Sequence, residues 1–147
     1  MKLYQLIYVS KSSYPMSKDD LQEILKTAQE NNADQGISGL LVYDRGHFFQ
    51  VLEGGYNDVE TLFTQIQKDK RHSRVNRIVS SHIPERYFSE WGMGFYNLDE
   101  MAELDFFKLR KFMKSLHEVT SVEQKSKLAK YALQIFVDLK QNPVSAV

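Results

Sequence analysis

Two polar side chains lie inside segments whose neighbouring residues are apolar. Tyr8 follows two aliphatic residues, and Gln50 lies between Phe49 and Val51. A carboxamide that is buried without a hydrogen-bond partner costs ~1–3 kcal/mol. The Gln50 side chain therefore needs a partner from the protein, from water or from a bound ligand. Tyr8 is the protein candidate for that role if the two strands are neighbours.

Two adjacent carboxamides, Asn31 and Asn32, lie at the predicted end of the first helix. Asn is frequent at a helix C-terminus because it tolerates the left-handed backbone conformation. Taken alone, the pair is therefore typical of a helix cap. A cap uses only one Asn, however, and this leaves the second carboxamide free to offer a donor and an acceptor to the edge of a ligand.

A charged segment, Asp69-Lys70-Arg71-His72, follows the second predicted helix. Such a segment is most often a solvated turn. Arg71 could also bind oxygen atoms of a ligand, since a guanidinium matches phosphate and carboxylate groups with two hydrogen bonds. The histidines do not show the spacing of metal ligands. We therefore predict no metal site at His47, His72, His82 and His117.

Two large residues alternate with glycines in the segment Trp91-Gly92-Met93-Gly94. In a regular strand Trp91 and Met93 share one face, and the glycines weaken the strand. A large ring and a flexible thioether would then compete for similar space. Two interpretations stay open: a core edge with a glycine bulge, or a strand whose register can slip.

Composition limits the classes of function. The chain has 147 residues, no cysteine, and 19 basic against 19 acidic residues. The balance argues against broad electrostatic binding of nucleic acid, and the lack of cysteine excludes disulfides and thiolate chemistry. No apolar stretch resembles a signal peptide or a membrane span. We expect a soluble, cytoplasmic protein without a nucleic-acid or membrane partner.

Hydrophobic periodicity predicts an α+β fold with the order β-α-β-β-α-β-β. The first helix is expected at residues 17–32, with Ser17 as its N-cap and Asp20 as the capping-box acid. The second helix ends near Asp69. This order is that of a ferredoxin-like core with an extra strand, in a five-stranded mixed sheet. The predicted strands cover residues 2–10, 37–44, 47–53, 75–83 and 91–96.

Two further helices are predicted in the C-terminal third of the chain. The first carries an apolar stripe that ends at Leu116, and the second begins at a Ser121 cap and stops before Pro143. Both faces of the central hairpin strands carry apolar residues, and the first two helices can cover only one of them. We expect the C-terminal pair to pack on the other sheet face.

Signatures of catalysis are missing from the sequence. It contains no nucleophile elbow, P-loop or Rossmann motif, and nothing arranges its Ser, His and Asp residues as a triad. We predict that the chain is not an enzyme.

Taken together, these residues resemble the BLUF family of blue-light sensors that use flavin. The resemblance covers residues 1–97, and the order and spacing of its motifs are highly specific. The last third is similar to the helical tail of short, stand-alone members of the PixD type. The matching motifs are Leu6-Ile7-Tyr8, Asn31-Asn32, Gly36-Ile37-Ser38-Gly39-Leu40-Leu41, Phe48-Phe49-Gln50-Val51-Leu52-Glu53-Gly54, Asp69-Lys70-Arg71-His72 and Trp91-Gly92-Met93.

The resemblance implies a flavin bound without a covalent bond, with its ring between the two helices of the ferredoxin-like core. Tyr8 would donate an electron and a proton to the excited flavin, and Gln50 would bridge Tyr8 to flavin N5 and O4. Rotation or tautomerisation of Gln50 would then shift the flavin absorption to the red. Asn31 and Asn32 would hold the pyrimidine edge of the ring.

Further cofactor contacts follow from the same resemblance. Asp69, Arg71 and His72 match a segment near the ribityl side of the flavin, whereas Gln65 stands where some relatives carry a basic residue. Little phosphate-specific sequence is present, so the expected cofactor is FAD with a loosely held tail, which FMN could replace. The apolar walls of the ring site would be Ile24, Leu41, Phe48 and Ile66.

The resemblance favours a light-switched interaction module over two alternatives. A small hydrolase of the acylphosphatase kind needs a basic residue in an oxyanion-binding first loop, where the chain offers Lys11 but no phosphate nest. A flavin redox protein needs a substrate or dinucleotide site, and none is recognisable in the sequence.

We expect residues 1–98 to form the flavin-binding sensor and residues 99–147 to carry the output. Trp91 and Met93 would relay the change at Gln50 outwards. The C-terminal helices would then bind like chains in a homo-oligomer, or a separate downstream signalling protein. The aromatic residues that one sheet face cannot fully cover would be Phe106, Phe107 and Phe112.

Overall fold

Alternating strands and helices build one mixed sheet in this computed structural model, which describes residues 2–89, 92–100, 103–119 and 121–141. A single 3-10 turn, Leu98–Glu100, links the last strand to the C-terminal helices. The elements in chain order are β1 (Leu3–Ser12), α1 (Lys18–Gln35), β2 (Ser38–Asp44), β3 (His47–Gly55), α2 (Tyr56–Lys68), β4 (His72–Ile83), β5 (Gly94–Asn97), α3 (Glu103–Glu118) and α4 (Val122–Gln141).

The strand order across the sheet is β4-β1-β3-β2-β5. Neighbouring strands run antiparallel except β2 and β5, which run parallel. This arrangement confirms the predicted ferredoxin-like core with one added strand at its edge. It also places β1 and β3 side by side at the centre, so that Tyr8 and Gln50 become direct partners in the register.

One face of the sheet packs against α1 and α2. Side chains at alternate strand positions point to this face, and Tyr8, Leu41 and Leu52 form one buried cluster with Leu21 of α1 and Phe63 of α2. Burial of such side chains contributes about 1.5–3 kcal/mol each. The same cluster forms the floor beneath the two helices.

The opposite face of the sheet packs against α3 and α4. Phe49 and Val51, which alternate with Gln50 along β3, join a second buried cluster with Met113 of α3 and Phe136 of α4. The rings of Phe49 and Phe136 lie 5.9 Å apart. This packing confirms the expectation that the C-terminal helices cover the second face.

Helix α1 begins as predicted but ends later. Ser17 and Asp20 form a reciprocal capping box. The prediction that the helix ends at Asn32 is wrong, because the three residues after it contain no helix breaker. Gly36 instead adopts the left-handed conformation and its backbone N–H binds the carbonyl of Asn32. The two Asn side chains are therefore not needed as caps.

Two strands differ from their predicted bounds. Strand β4 begins at His72 rather than at residue 75, because β1 continues to Ser12 and pairs with it. A break in the register accompanies this extra pairing, and Arg74 within it has a positive φ of 52°. Strand β5 begins at Gly94, so Met93 precedes the strand. Trp91 lies outside the described residues.

Aromatic side chains of the C-terminal helices differ in exposure. Phe107 is 60% exposed, whereas Phe112 is partly buried and stacks on Tyr131 with ring centroids 4.7 Å apart. The side chain of Phe106 lies outside the described part of the chain. Within the described ranges, none of the helices has the length and apolar character needed to cross a membrane.

A buried carboxyl group ties the loop after β4 to the sheet. Glu53 is fully buried in β3, and its two oxygens accept hydrogen bonds from the backbone N–H groups of Tyr87 and Phe88, each at 2.9 Å. Burial nevertheless raises the pKa of Glu53. This contact fixes the chain only a few residues before Met93.

Strands β2 and β3 approach each other closely at Gly39, and a substitution there tests this packing. A Cβ atom at this position would lie 1.9 Å from the carbonyl oxygen of Val51, so we expect Gly39→Ala to destabilise the fold by about 2–3 kcal/mol through overpacking. Gly92→Ala is the matched control, since a Cβ there meets nothing within 4 Å. Urea unfolding followed by circular dichroism compares both variants, and equal midpoints would contradict this packing.

Candidate functional site

The Tyr8 and Gln50 side chains meet at the centre of the sheet. They are direct register partners on β1 and β3, and the Tyr8 hydroxyl donates a hydrogen bond to Oε1 of Gln50. Both residues are buried, with exposed fractions of 3% and 4%. The phenol is therefore the protein partner that the isolated carboxamide in β3 led us to expect.

The environment keeps the Tyr8 phenol protonated. Burial raises its pKa, and the negative charge of Asp69 raises it further. The neutral phenol can therefore donate its hydrogen bond to Gln50 throughout the physiological pH range. Loss of this proton requires a change in the phenol itself, such as removal of an electron.

The amide nitrogen of Gln50 is only weakly satisfied by the protein. Its Nε2 donates to the Sδ atom of Met93 at 3.4 Å, and a thioether is a weak acceptor. A carboxamide nitrogen has two hydrogens to donate. The Gln50 amide nitrogen can therefore donate to a stronger acceptor on a ligand while the Gln50 oxygen still accepts from Tyr8.

A cleft of about 150 Å³ lies between α1 and α2 above these two residues. Its lining includes Tyr8 and all ten residues that the sequence predicted to contact a cofactor. The structure thus brings together residues from six separate places along the chain. These ten residues are Ile24, Asn31, Asn32, Leu41, Phe48, Gln50, Ile66, Asp69, Arg71 and His72.

Four further lining residues were not predicted as contacts. Thr27 and Ala28 lie on the same face of α1 as Ile24 and Asn31, at helical spacing. In α2, Leu62 lies four residues before Ile66 and three before Gln65. Extending the α1 and Ile66 stripes by one turn would have found Thr27, Ala28 and Leu62, and Gln65 follows from Leu62 by the same spacing.

Asn32 presents an unused acceptor to the cleft. Its Nδ2 donates to the carbonyl oxygen of Gly92 at 3.2 Å, while its Oδ1 is buried without a hydrogen-bond partner. The whole residue is only 1% exposed. Since an unsatisfied buried oxygen is costly, this atom indicates a ligand with an N–H group. Asn31 lines the same cleft beside it.

The charged segment after α2 is largely paired within itself. Arg71 binds Asp69 with Nη2–Oδ2 at 2.6 Å and Nε–Oδ1 at 3.0 Å. This pair raises the pKa of Arg71 and lowers that of Asp69. Because the guanidinium already serves one carboxylate, it offers only part of its hydrogen-bonding capacity to a phosphate group.

His72 lines the cleft with its ring rather than with its nitrogens. Its Nε2 lies 2.6 Å from the carbonyl oxygen of Ile66, and its Nδ1 lies 2.9 Å from the hydroxyl of Ser10. The ring packs edge-on against Tyr8 with centroids 6.2 Å apart. His72 thereby supports the Tyr8 ring. Within the described ranges, no cluster of His, Asp and Glu could hold a metal ion.

The cleft combines apolar walls with carboxamides at its polar ends. Asn32 Oδ1 requires a donor, and Gln50 Nε2 can serve an acceptor. A flat heteroaromatic ring whose edge carries alternating C=O and N–H groups satisfies both. The isoalloxazine of a flavin has such an edge. The fold and the site thus define an α+β domain built to bind a flavin-like ring.

Comparison with known families identifies this domain. The model of the BLUF family, described as sensors of blue-light using FAD, matches residues 3–94. The chain therefore belongs to the BLUF family. It is a blue-light sensor that binds flavin, and FAD is the cofactor of the family.

Relatives and solved structures agree with this assignment. The chain is 41% identical over 90 residues to the photoactivated adenylate cyclase subunit beta of Euglena gracilis, a match of 60% of this chain and 10% of that protein. It therefore spans only a small part of such relatives. The photo-activated state of BlsA superposes with a TM-score of 0.75 at 28% identity, covering 92% of this chain and 94% of that one.

A bacterial light-regulated adenylyl cyclase also superposes with a TM-score of 0.75. The identity is 30%, and the match covers 90% of this chain but 39% of the cyclase chain. The chain is similar to only part of that light-regulated enzyme. These comparisons therefore support a sensory role for the described fold.

Asn32 provides a direct test of flavin binding. We expect Asn32→Ala to weaken flavin affinity by about 1–2 kcal/mol, because one buried hydrogen bond is lost. Gln29→Ala is the matched control: Gln29 donates to the neighbouring carbonyl of Met93 at 3.2 Å but does not line the cleft. Titration of flavin-free protein measures both. Equal flavin affinities of the Asn32→Ala and Gln29→Ala variants would indicate that Asn32 has only a structural role.

Proposed function

We propose that Tyr8 and Gln50 form the photochemical pair of this sensor, and that their rearrangement switches a protein–protein contact. The observation that carries the proposal is the Tyr8–Gln50 hydrogen bond at the floor of the cleft. Bound flavin supplies the absorption of blue light and an excited-state acceptor for an electron. Tyr8 would be the donor: a phenol that loses an electron becomes acidic, so the proton that burial otherwise retains would follow the electron to the flavin. Both would return to Tyr8 when the charges recombine, after the carboxamide of Gln50 has rearranged.

Gln50 converts that event into a new hydrogen-bond arrangement. In the structure its oxygen accepts from Tyr8 and its nitrogen faces Met93. When the phenol stops donating, the carboxamide can rotate or tautomerise and exchange its donor and acceptor positions. The hydrogen bonds that it offers to the ring then change, and the absorption band moves to the red without net chemical conversion.

Lys11, the basic residue that the hydrolase alternative would use, lies away from the cleft. Lys11 alternates with Tyr8 along β1 and lines a groove on the opposite face of the sheet. It therefore cannot supply a cation to the cleft. We propose that the chain has no enzymatic turnover of its own. The pairing of Arg71 with Asp69 supports a loosely held FAD tail, which FMN can replace.

Tyr8→Phe and Gln50→Leu separate flavin binding from the photocycle. We expect both variants to bind flavin and to lose the red shift, because each removes one side of the Tyr8–Gln50 hydrogen bond while the apolar walls remain. Absorption spectra before and after blue light measure the effect. Tyr43→Phe is the control, since Tyr43 is buried in the same cluster but does not line the cleft.

Two kinds of result would contradict this proposal. A normal red shift in Tyr8→Phe or in Gln50→Leu would refute the role proposed for that residue. Stable reduced flavin in the illuminated wild-type protein, without a red-shifted state, would favour a redox protein.

Met93 is the proposed first relay from the site. It accepts from Gln50 through Sδ, and its backbone carbonyl accepts from Gln29 of α1. Because β5 starts at the next residue and pairs with β2 over only four positions, a change at Met93 can move this short edge strand. Trp91 is a second proposed relay residue.

The proposed output surface lies on the C-terminal helices. Residues 1–98 would act as the sensor and residues 99–147 as the output, which binds like chains or a separate signalling protein. Phe107 and Tyr131 are 60% and 58% exposed, and aromatic residues are enriched in the buried centre of protein–protein interfaces. A coupling of about 1–3 kcal/mol between light and association would be typical.

Met93→Ala tests the relay. We expect this variant to keep the red shift and to lose most of the light-dependent change in assembly, because the contact between Gln50 and β5 is removed. Light scattering after size-exclusion chromatography, in the dark and under blue light, measures assembly. Hydrogen exchange at residues 92–97 that is identical in dark and light would refute the relay.

Variants on the output surface serve as the control. Phe107→Ser with Tyr131→Ser should also lose the assembly change, while hydrogen exchange at residues 92–97 still responds to light. This result would separate a broken relay from a broken interface. Light-dependent assembly that survives the double substitution would place the interface elsewhere.

A further inference from the structure

A positively charged groove opens on the sheet face opposite the flavin cleft. It has a volume of about 360 Å³ and lies where β1, β3 and β4 meet the helices α3 and α4. This volume falls within the range of about 300–1,000 Å³ that is usual for small-molecule sites. The polar side chains that matter are Lys11, His47, Arg74, Asn76, His117 and Lys125.

Three cations from three different elements converge on this groove. Lys11 belongs to β1, Arg74 to β4 and Lys125 to α4, and no carboxylate is among the residues that line it. In the described part of the chain none of the three forms an ion pair. The chain as a whole carries 19 basic and 19 acidic residues, so the cluster does not follow from a general excess of positive charge.

A pair of histidines forms the inner wall of the groove. The rings of His47 and His117 lie 4.0 Å apart between centroids, and Nε2 of His117 is buried without a hydrogen-bond partner. Burial, with the nearby charges of His47 and Lys125, lowers the pKa of His117 to about 4. The ring is therefore neutral near pH 7 and keeps hydrogen-bonding capacity that the protein does not use.

The backbone at Arg74 is unusual for its residue type. Arg74 has a positive φ of 52° at the break in register between β1 and β4. A non-glycine residue in this conformation is uncommon, and bulges often redirect a side chain towards a site. Here the irregular residue is one of the three cations that line the groove.

We propose that this groove binds the phosphate groups of a small phosphorylated molecule. Arg74, Lys11 and Lys125 would contact phosphate oxygens, which guanidinium and ammonium groups bind well. The unpartnered His117 nitrogen and Asn76 would complete the polar lining. This site is separate from the flavin cleft, because no described residue lines both the groove and the cleft.

Occupancy of the groove would bridge the sheet to the C-terminal helices. His117 lies in the last turn of α3 and Lys125 in the first turn of α4, whereas Lys11 and Arg74 belong to the sheet. A bound phosphate would join these two layers through charge-assisted hydrogen bonds. It would also lie beside His47, which begins the strand that carries Gln50 three positions later.

Calorimetric titration of the flavin-bound protein in the dark tests this site. The probes are inorganic phosphate, pyrophosphate and ATP, each at constant ionic strength adjusted with KCl. We expect one-to-one binding of at least one probe. Lys125→Gln and Arg74→Gly should each weaken that binding about tenfold, and glycine at position 74 retains the positive φ. Lys130→Gln is the matched control, because Lys130 is exposed on α4 outside the groove.

The probes also separate the sources of the phosphate group. Phosphate and ATP binding with equal affinity would support a site for free phosphate, whereas a clear preference for ATP would support a nucleotide. Slower hydrogen exchange in residues 114–125 with the bound probe would support the bridge. Absence of one-to-one binding by all three probes, or equal weakening by Lys125→Gln and Lys130→Gln, would overturn the proposal.

Discussion

The hydrogen bond between Tyr8 and Gln50 is the interaction on which the rest of this structure depends. A carboxamide at the centre of a buried sheet is costly unless its oxygen and nitrogen both have partners. The antiparallel pairing of β1 and β3 supplies the first partner directly opposite. The second side of the amide faces Met93 and the flavin cleft. The hydrogen bonds that the Gln50 side chain requires therefore connect the register of β1 and β3, the cofactor cleft and Met93, which precedes the edge strand β5.

Strand β3 contributes side chains to both the flavin cleft and the packing of the C-terminal helices. Along β3, Gln50 faces the flavin cleft, while Phe49 and Val51 face the C-terminal helices. Close packing makes such interiors respond to small displacements rather than absorb them. Glu53, farther along the same strand, anchors the backbone of the loop that leads to Met93. Strand β3 thus contacts the flavin cleft, Met93 and the C-terminal helices.

Much of the fold and the site could be predicted from the sequence. Period-two and helical patterns identified the elements and their order. The ten cofactor contacts were implied by the family resemblance, and all ten residues line the cleft. The errors have two causes. Helix α1 passes Asn32 because Gly36, a local feature of the sequence, is the better left-handed residue. Strand β4 starts early because of a tertiary contact, the additional pairing with β1. The anchor at Glu53 depends on a distant loop, so no local pattern revealed it.

The central claim is that light rearranges the hydrogen bonds of Gln50. Infrared difference spectra, light minus dark, of protein whose glutamine side chains carry a 13C carbonyl label test this claim most directly. We expect an isotope-sensitive amide band that changes on illumination and disappears in Gln50→Leu. A normal red shift of the flavin band without any isotope-sensitive glutamine signal would contradict a rearrangement of Gln50.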